Sequence, residues 1–260
     1  MTQLSQGILD GTIKRYNLFE HLTIEEYDKY KRNIDNYFAY KDMLNFNEVN
    51  REMEVLYIYG ESGSGKTTYA KRVANDRDMS VFISSSGSDF LDGYAGQSCI
   101  ILDDFRGSQA PLNTILKLLD NNTASNVASR YKNKSISECK LIIITSVQSV
   151  EELFKSAFAD SVEPLQQFKR RCQIVMHFTK DEIETLMYNK DINGYSIVAT
   201  IPNIVLDEFM ESLKPENQIE RLAKVLGGTS DLLNAVKDKI MTDKDLQFDD
   251  VIDGQQEIEF

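Results

Sequence analysis

From Thr23 onward, apolar and aromatic residues fall at helical spacing. Tyr27, Tyr30, Ile34, Tyr37, Phe38 and Met43 recur at steps of three and four, and Thr23 with Glu25 and Glu26 supplies a helix start. The stripe predicts a packing face, within the chain or against a neighbour. The pattern then changes. Residues 55–59, 80–84, 99–103, 141–145 and 172–178 are short, continuous apolar runs. Parallel strands covered on both faces read this way, whereas half-exposed strands alternate. Helical patterns lie between several of them, notably at 112–119 and 151–158. Strand–helix alternation predicts an α/β fold, a three-layer domain around a parallel five-stranded sheet.

Beyond Thr179 the signals weaken. Residues 181–186 read as a helix start, 195–201 as a strand, and 207–213, 218–225 and 230–240 as helices. Residues 1–22 are expected to be a flexible start or linker, 23–50 a helical region, and 51–180 the main domain. Residues 181–242 are expected to form a mixed C-terminal region and 243–260 an acidic tail.

The most specific local feature is Gly60-Glu61-Ser62-Gly63-Ser64-Gly65-Lys66-Thr67-Thr68, between the first run and a helical pattern. Its glycines permit a tight backbone whose N–H groups converge on an anion, and the helix N-terminus adds partial positive charge. Lys66 is expected to reach the β- and γ-phosphates of ATP, and the Thr67 hydroxyl to ligate Mg²⁺. The run at 99–103 ends in Asp103-Asp104, where strand C-termini face the ligand crevice of a parallel sheet. Asp103 is expected at the metal, and Asp104 at the attacking water. The run at 141–145 ends in Thr145-Ser146-Val147; the two hydroxyls suit a sensor of that water and Val147 does not.

Two basic clusters change the picture further. Lys169-Arg170-Arg171 precedes the last run and reads either as a solvated edge or as an arginine donor to a phosphate on another subunit. Arg130-Tyr131-Lys132-Asn133-Lys134 reads either as a solvated loop or as a hairpin touching a nucleic-acid backbone. The net charge of −12 opposes nucleic-acid binding less than its size implies. Residues 181–260 hold 18 acids and 7 bases, so the first 180 residues are almost neutral. No apolar run is long enough to span a bilayer and the first residues show no charged-then-apolar secretory pattern, which predicts a cytoplasmic protein without a membrane partner. Cys99, Cys139 and Cys172 form no paired motif and are expected as reduced core residues.

In order and spacing, these motifs resemble the superfamily 3 helicase domain of rolling-circle replication initiator (Rep) proteins. They comprise residues 60–68, Ile101-Leu102-Asp103-Asp104-Phe105-Arg106-Gly107, residues 116–120, the basic segment to Lys134, Ile142-Ile143-Ile144-Thr145-Ser146 and Arg170-Arg171. The version here is most similar to Rep proteins of Gram-positive bacterial plasmids, with kinship to those of small circular single-stranded DNA viruses. The resemblance covers roughly residues 25–180. It implies an AAA+-type ATPase assembled as a ring, a homo-hexamer, moving on single-stranded DNA. Residues 60–68 would hold Mg·ATP, with Thr67 and Asp103 at the metal. Asp103, Asp104, Ser146 and either Arg170 or Arg171 would be catalytic, the arginine acting in trans. Arg130, Lys132 and Lys134 would touch DNA, and residues 27–43 would serve oligomerisation.

Two departures stand out. The family's sensor motif ends Thr-Ser-Asn, and Val147 replaces the asparagine; either Ser146 takes the role or hydrolysis is weakened. The initiators also carry a nicking endonuclease domain with a His-x-His site. His21 and His177 cannot form one, so nicking is expected outside these 260 residues. Two rival classes are a small-molecule kinase, for which no arginine-rich lid is visible between Phe105 and Leu141, and an ATP-regulated assembly protein with weak hydrolysis.

Overall fold

The fold is that of a computed structural model, which describes residues 2–46, 53–84, 90–120, 126–127, 134–159 and 163–212. In chain order the elements are α1 (Thr2–Asp10), a 3₁₀ turn (Arg15–Glu20), α2 (Ile24–Phe46), β1 (Glu54–Gly60), α3 (Lys66–Asp76), β2 (Val81–Ser84) and β3 (Cys99–Leu102). Then follow α4 (Leu112–Leu118), β4 (Asn126–Val127), β5 (Lys134–Ser135), β6 (Leu141–Ser146), α5 (Val150–Ala157), α6 (Leu165–Lys169), β7 (Ile174–Phe178), β8 (Glu182–Asn189), β9 (Gly194–Pro202) and α7 (Ile204–Ser212). The chain forms two compact units, Met1–Asn203 and Ile204–Phe260. Of the second, α7 is the described element. Among the described residues no helix is long and apolar enough to cross a membrane.

The first unit is built on a mixed seven-stranded sheet in the order β2-β3-β6-β1-β7-β8-β9. The five apolar runs pair in parallel, as their continuous burial requires. β3 and β6 are buried at every position. Beyond β7 the sheet departs from the five-stranded expectation, because β8 and β9 extend it antiparallel. Residues 181–186, expected as a helix start, open β8 instead. Asp181 and Glu182 look like first-turn acids, but a tight turn overrides them: Glu182 N–H donates to Thr179 Oγ1 at 2.9 Å and Thr179 N–H to the Glu182 carbonyl at 3.0 Å. Ile183 then seats in the core opposite Phe178. Residues 195–201 form the expected strand.

The main core holds Tyr57, Ile100, Leu102, Ile142, Ile144, Leu153 and Phe168. All three cysteines are buried and none is in a disulfide, and burial pushes the Cys99 thiol up to about 12, leaving it inert at neutral pH. A separate small core, Ile8, Ile13, Ile34 and Phe38, joins α1 to α2. Residues 2–10, expected to lack structure, are therefore a helix, because Ile8 is fully buried among these side chains. The cap at Thr23 forms as read: Glu26 N–H donates to Thr23 Oγ1, and Thr23 N–H to Glu26 Oε2. The aromatic stripe divides. Ile34 and Phe38 pack with Ile8 of α1, while Tyr27 and Met43 stay exposed. The pairs Lys41–Glu138 (2.9 Å) and Lys14–Glu138 (3.6 Å) tie this helical region to the segment before β6. The helices expected at 218–225 and 230–240 and the tail at 243–260 lie outside the described residues.

Candidate functional site

Three features meet at the C-terminal ends of the parallel strands. β1 ends in Gly60, whose φ of 143° and tight fit against β7 exclude any side chain: a Cβ there would lie 1.9 Å from the Phe178 carbonyl oxygen. The loop then crosses exposed Glu61, Ser62 and Gly63, buries Ser64, and enters α3 through Gly65 at φ 91°. Thr68 is exposed on the first turn of α3. The Lys66 amine folds back to donate to the carbonyls of Gly60 (2.8 Å) and Glu61. An ammonium has three donors, so one N–H remains for an anion. Burial pulls the Lys66 pKa below its ordinary value, while the carboxylates of Asp104, Asp103 and Glu61 push it up.

The carboxylates come from the end of β3. β6 lies between β1 and β3 in the sheet, so its last residues separate the loop from the acids. Thr67 Oγ1 donates to Asp103 Oδ1 at 2.7 Å, and Thr145 Oγ1 donates to the same oxygen at 2.8 Å. The Thr145 hydroxyl in turn accepts the Asp104 N–H at 3.0 Å. Asp104 turns the chain out of the sheet at φ 48°, a region that aspartate tolerates better than most residues. Its carboxylate is half exposed and takes two donors from Arg106, Nε at 3.2 Å and Nη2 at 2.9 Å, both on Oδ2.

Hydroxyl and carboxylate oxygens at hydrogen-bond distance are the hard donors that Mg²⁺ prefers, with waters and phosphates completing its shell. Thr67 and Asp103 fit that ion.

The other expected residues lie elsewhere. Ser146 is buried and its hydroxyl donates to the Phe105 carbonyl at 2.9 Å. It braces the turn that carries Asp104 and does not point among the acids; Val147 is half exposed. Arg170 and Arg171 stand before β7, at its N-terminal end. The parallel register sets Phe178, at the other end, opposite Gly60. The five residues of β7 separate the arginines' end from the loop's, about 15 Å, further than an arginine extends. There they line a cleft of about 330 Å³ with Asp120, Tyr188 and Lys190. Arg170 bonds Gln167 Oε1 at 2.8 Å and is exposed. Arg171 is more enclosed: Nη1 bonds the Gln167 carbonyl at 2.9 Å, Nη2 faces Asp120 at 3.9 Å, and its buried Nε has no hydrogen-bond partner among the described residues.

Of the DNA-contact candidates, Arg130 and Lys132 lie outside the described residues. Lys134 opens β5, which pairs antiparallel with β4. The backbone there is a two-stranded ribbon.

The sequence left Thr145 unranked beside Ser146 and gave no role to Arg106 or Asn203. Thr145 is the hydroxyl that reaches Asp103; neighbouring hydroxyls cannot be ranked without knowing which face each meets. Arg106 lay inside the motif without an assigned role. Asn203, directly after β9, donates to the Ser64 carbonyl of the phosphate loop at 3.0 Å and has no sequence signal at all.

The comparisons fit this geometry. A family model described as RNA helicase matches residues 56–148. That segment holds the phosphate loop, both carboxylates and the end of β6. Over 202 residues, 78% of this chain, the sequence is 41% identical to a curated replication protein of Onion yellows phytoplasma (strain OY-M). The chain spans about half the length of that relative, 53%.

Proposed function

We propose that the chain is an ATP-driven DNA-unwinding motor of the superfamily 3 type, acting in rolling-circle replication of a plasmid. The observation that carries this reading is the meeting of Thr67 and Thr145 on Asp103 beside Lys66. The helicase family match and the replication-protein relative support it.

In this reading the backbone of residues 60–68 and the Lys66 ammonium bind the triphosphate of ATP. Thr67 and Asp103 hold Mg²⁺, which when bound neutralises charge developing on the phosphate oxygens. Thr145 fixes the Asp103 carboxylate and the Asp104 backbone. Asp104 accepts the proton of the attacking water, after Arg106 yields its Oδ2. Ser146 keeps the Asp104 turn in place. Arg170 or Arg171, too far from the chain's own loop, serves the nucleotide of the next subunit in a ring, a hexamer. Arg130, Lys132 and Lys134 contact the backbone of single-stranded DNA, and the exposed aromatics of α2 contribute to subunit contact. The protein acts in the cytoplasm, with nicking supplied by a domain outside these residues.

A forked duplex with a fluorophore and quencher tests this reading. With Mg·ATP the wild type separates the strands and Lys66→Ala does not; a wild type that leaves the duplex paired contradicts it. A second reading, an ATP-regulated assembly protein with weak hydrolysis, is favoured by Val147 and by the engagement of Ser146 with Phe105. It predicts tight nucleotide binding without unwinding.

A further inference from the structure

Asn203 directly follows the outermost strand of the sheet, 139 residues from the loop it touches. Its side chain is buried, at 1% exposure. Nδ2 donates to two carbonyl oxygens, Ser64 at 3.0 Å and Thr179 at 2.7 Å, and its backbone N–H is taken by the Asp181 carbonyl at 2.9 Å. A buried amide with both side-chain donors in use is held in one orientation.

The Ser64 bond matters because of the other half of that peptide. In a trans peptide the carbonyl and the following N–H point opposite ways, and no described peptide is cis. Holding the Ser64 carbonyl on Asn203 turns the Gly65 N–H to the opposite side. Gly65 caps α3 at φ 91°, and glycine offers little resistance to rotation of the peptide before it. A flipped peptide would offer an anion a carbonyl oxygen in place of an N–H.

We infer that Asn203 is a positioning residue for the phosphate loop: it locks the Ser64–Gly65 peptide in the anion-binding orientation. The antiparallel extension β8–β9 is then part of the nucleotide site. The inference rests on residues 60–68 binding a nucleotide.

Calorimetric titration of Mg·ADP into the full chain tests it, with wild type, Asn203→Ala and Asn203→Asp from pH 8 to pH 5.5. Asn203→Asp keeps the shape but sets a carboxylate against two carbonyl oxygens. Burial without donors raises its pKa, so protonation at the acid end returns one donor. At pH 8 both variants should bind about tenfold or more weakly than wild type. As pH falls, Asn203→Asp should recover relative to wild type and Asn203→Ala should not. Wild-type affinity in both variants overturns the inference, as does an equal loss in both with no recovery. If Asn203→Ala does not fold, Asn203→Asp carries the test through its pH dependence. A wild type that binds no Mg·ADP overturns the nucleotide site itself, a result distinct from binding that ignores Asn203.

Discussion

Thr67 and Asp103, 36 residues apart in sequence, meet at 2.7 Å between hydroxyl and carboxylate. Thr145 donates to the same carboxylate oxygen at 2.8 Å. One atom thus joins the helix after the phosphate loop, the end of β3 and the end of β6. Thr145→Val keeps the side-chain outline and removes the donor. Steady-state ATP turnover should fall by roughly tenfold or more while Mg·ADP affinity changes little. Unchanged turnover would mean that this bond has no part in hydrolysis.

The two arginines at the N-terminal end of β7 should separate by experiment. Arg170→Ala removes an exposed group and should cut turnover by roughly a hundredfold or more, leaving the melting temperature alone. Arg171→Ala should lower the melting temperature as well, since Gln167 and Asp120 lose a partner. Mixing Arg170→Ala with Lys66→Ala chains should restore part of the turnover, because each supplies what the other lacks. If mixing restores nothing, a site shared between subunits is ruled out.

Gly60→Ala should be among the most damaging single-methyl changes in the chain. The added carbon would meet the Phe178 carbonyl at 1.9 Å, at a backbone φ of 143°. A loss of about 3 kcal/mol or more is expected in urea unfolding, accompanied by loss of nucleotide binding.

Glu138 links the N-terminal helices to the strand before the site. Burial works against its ionised form, but Lys41, Lys14 and Asn45 outweigh that and hold its pKa below the ordinary value. Its stabilising contribution is therefore full above the unfolded-state value near 4.5 and fades as pH falls through the lower folded value. Glu138→Gln should lower stability by roughly 1 kcal/mol at pH 7, and the gap should narrow steadily in melts taken at successively lower pH below 4.5. A gap independent of pH would assign the effect to packing.

The parallel sheet was legible because its strands are covered on both faces and so read as unbroken apolar runs. The tight turn of residues 60–65 between β1 and α3 was legible because its glycine spacing is a local requirement of the backbone. β8 was not, since the bonds that turn the chain at Thr179–Glu182 use residue types equally suited to a helix start. Asn203 was not, since its role depends on a carbonyl brought to it by the whole width of β7–β9. Thr145 and Ser146 were both visible as hydroxyls. Only the partners each meets, Asp103 and the Phe105 carbonyl, tell them apart.

Coupling of ATP hydrolysis to single-stranded DNA is the property that distinguishes the proposed motor from a nucleotide-binding scaffold. Phosphate release from ATP, measured with and without single-stranded DNA at fixed salt, tests it most directly. DNA should raise turnover several-fold, with Lys66→Ala inactive in both conditions. Turnover that ignores DNA, or that persists in Lys66→Ala, would contradict it.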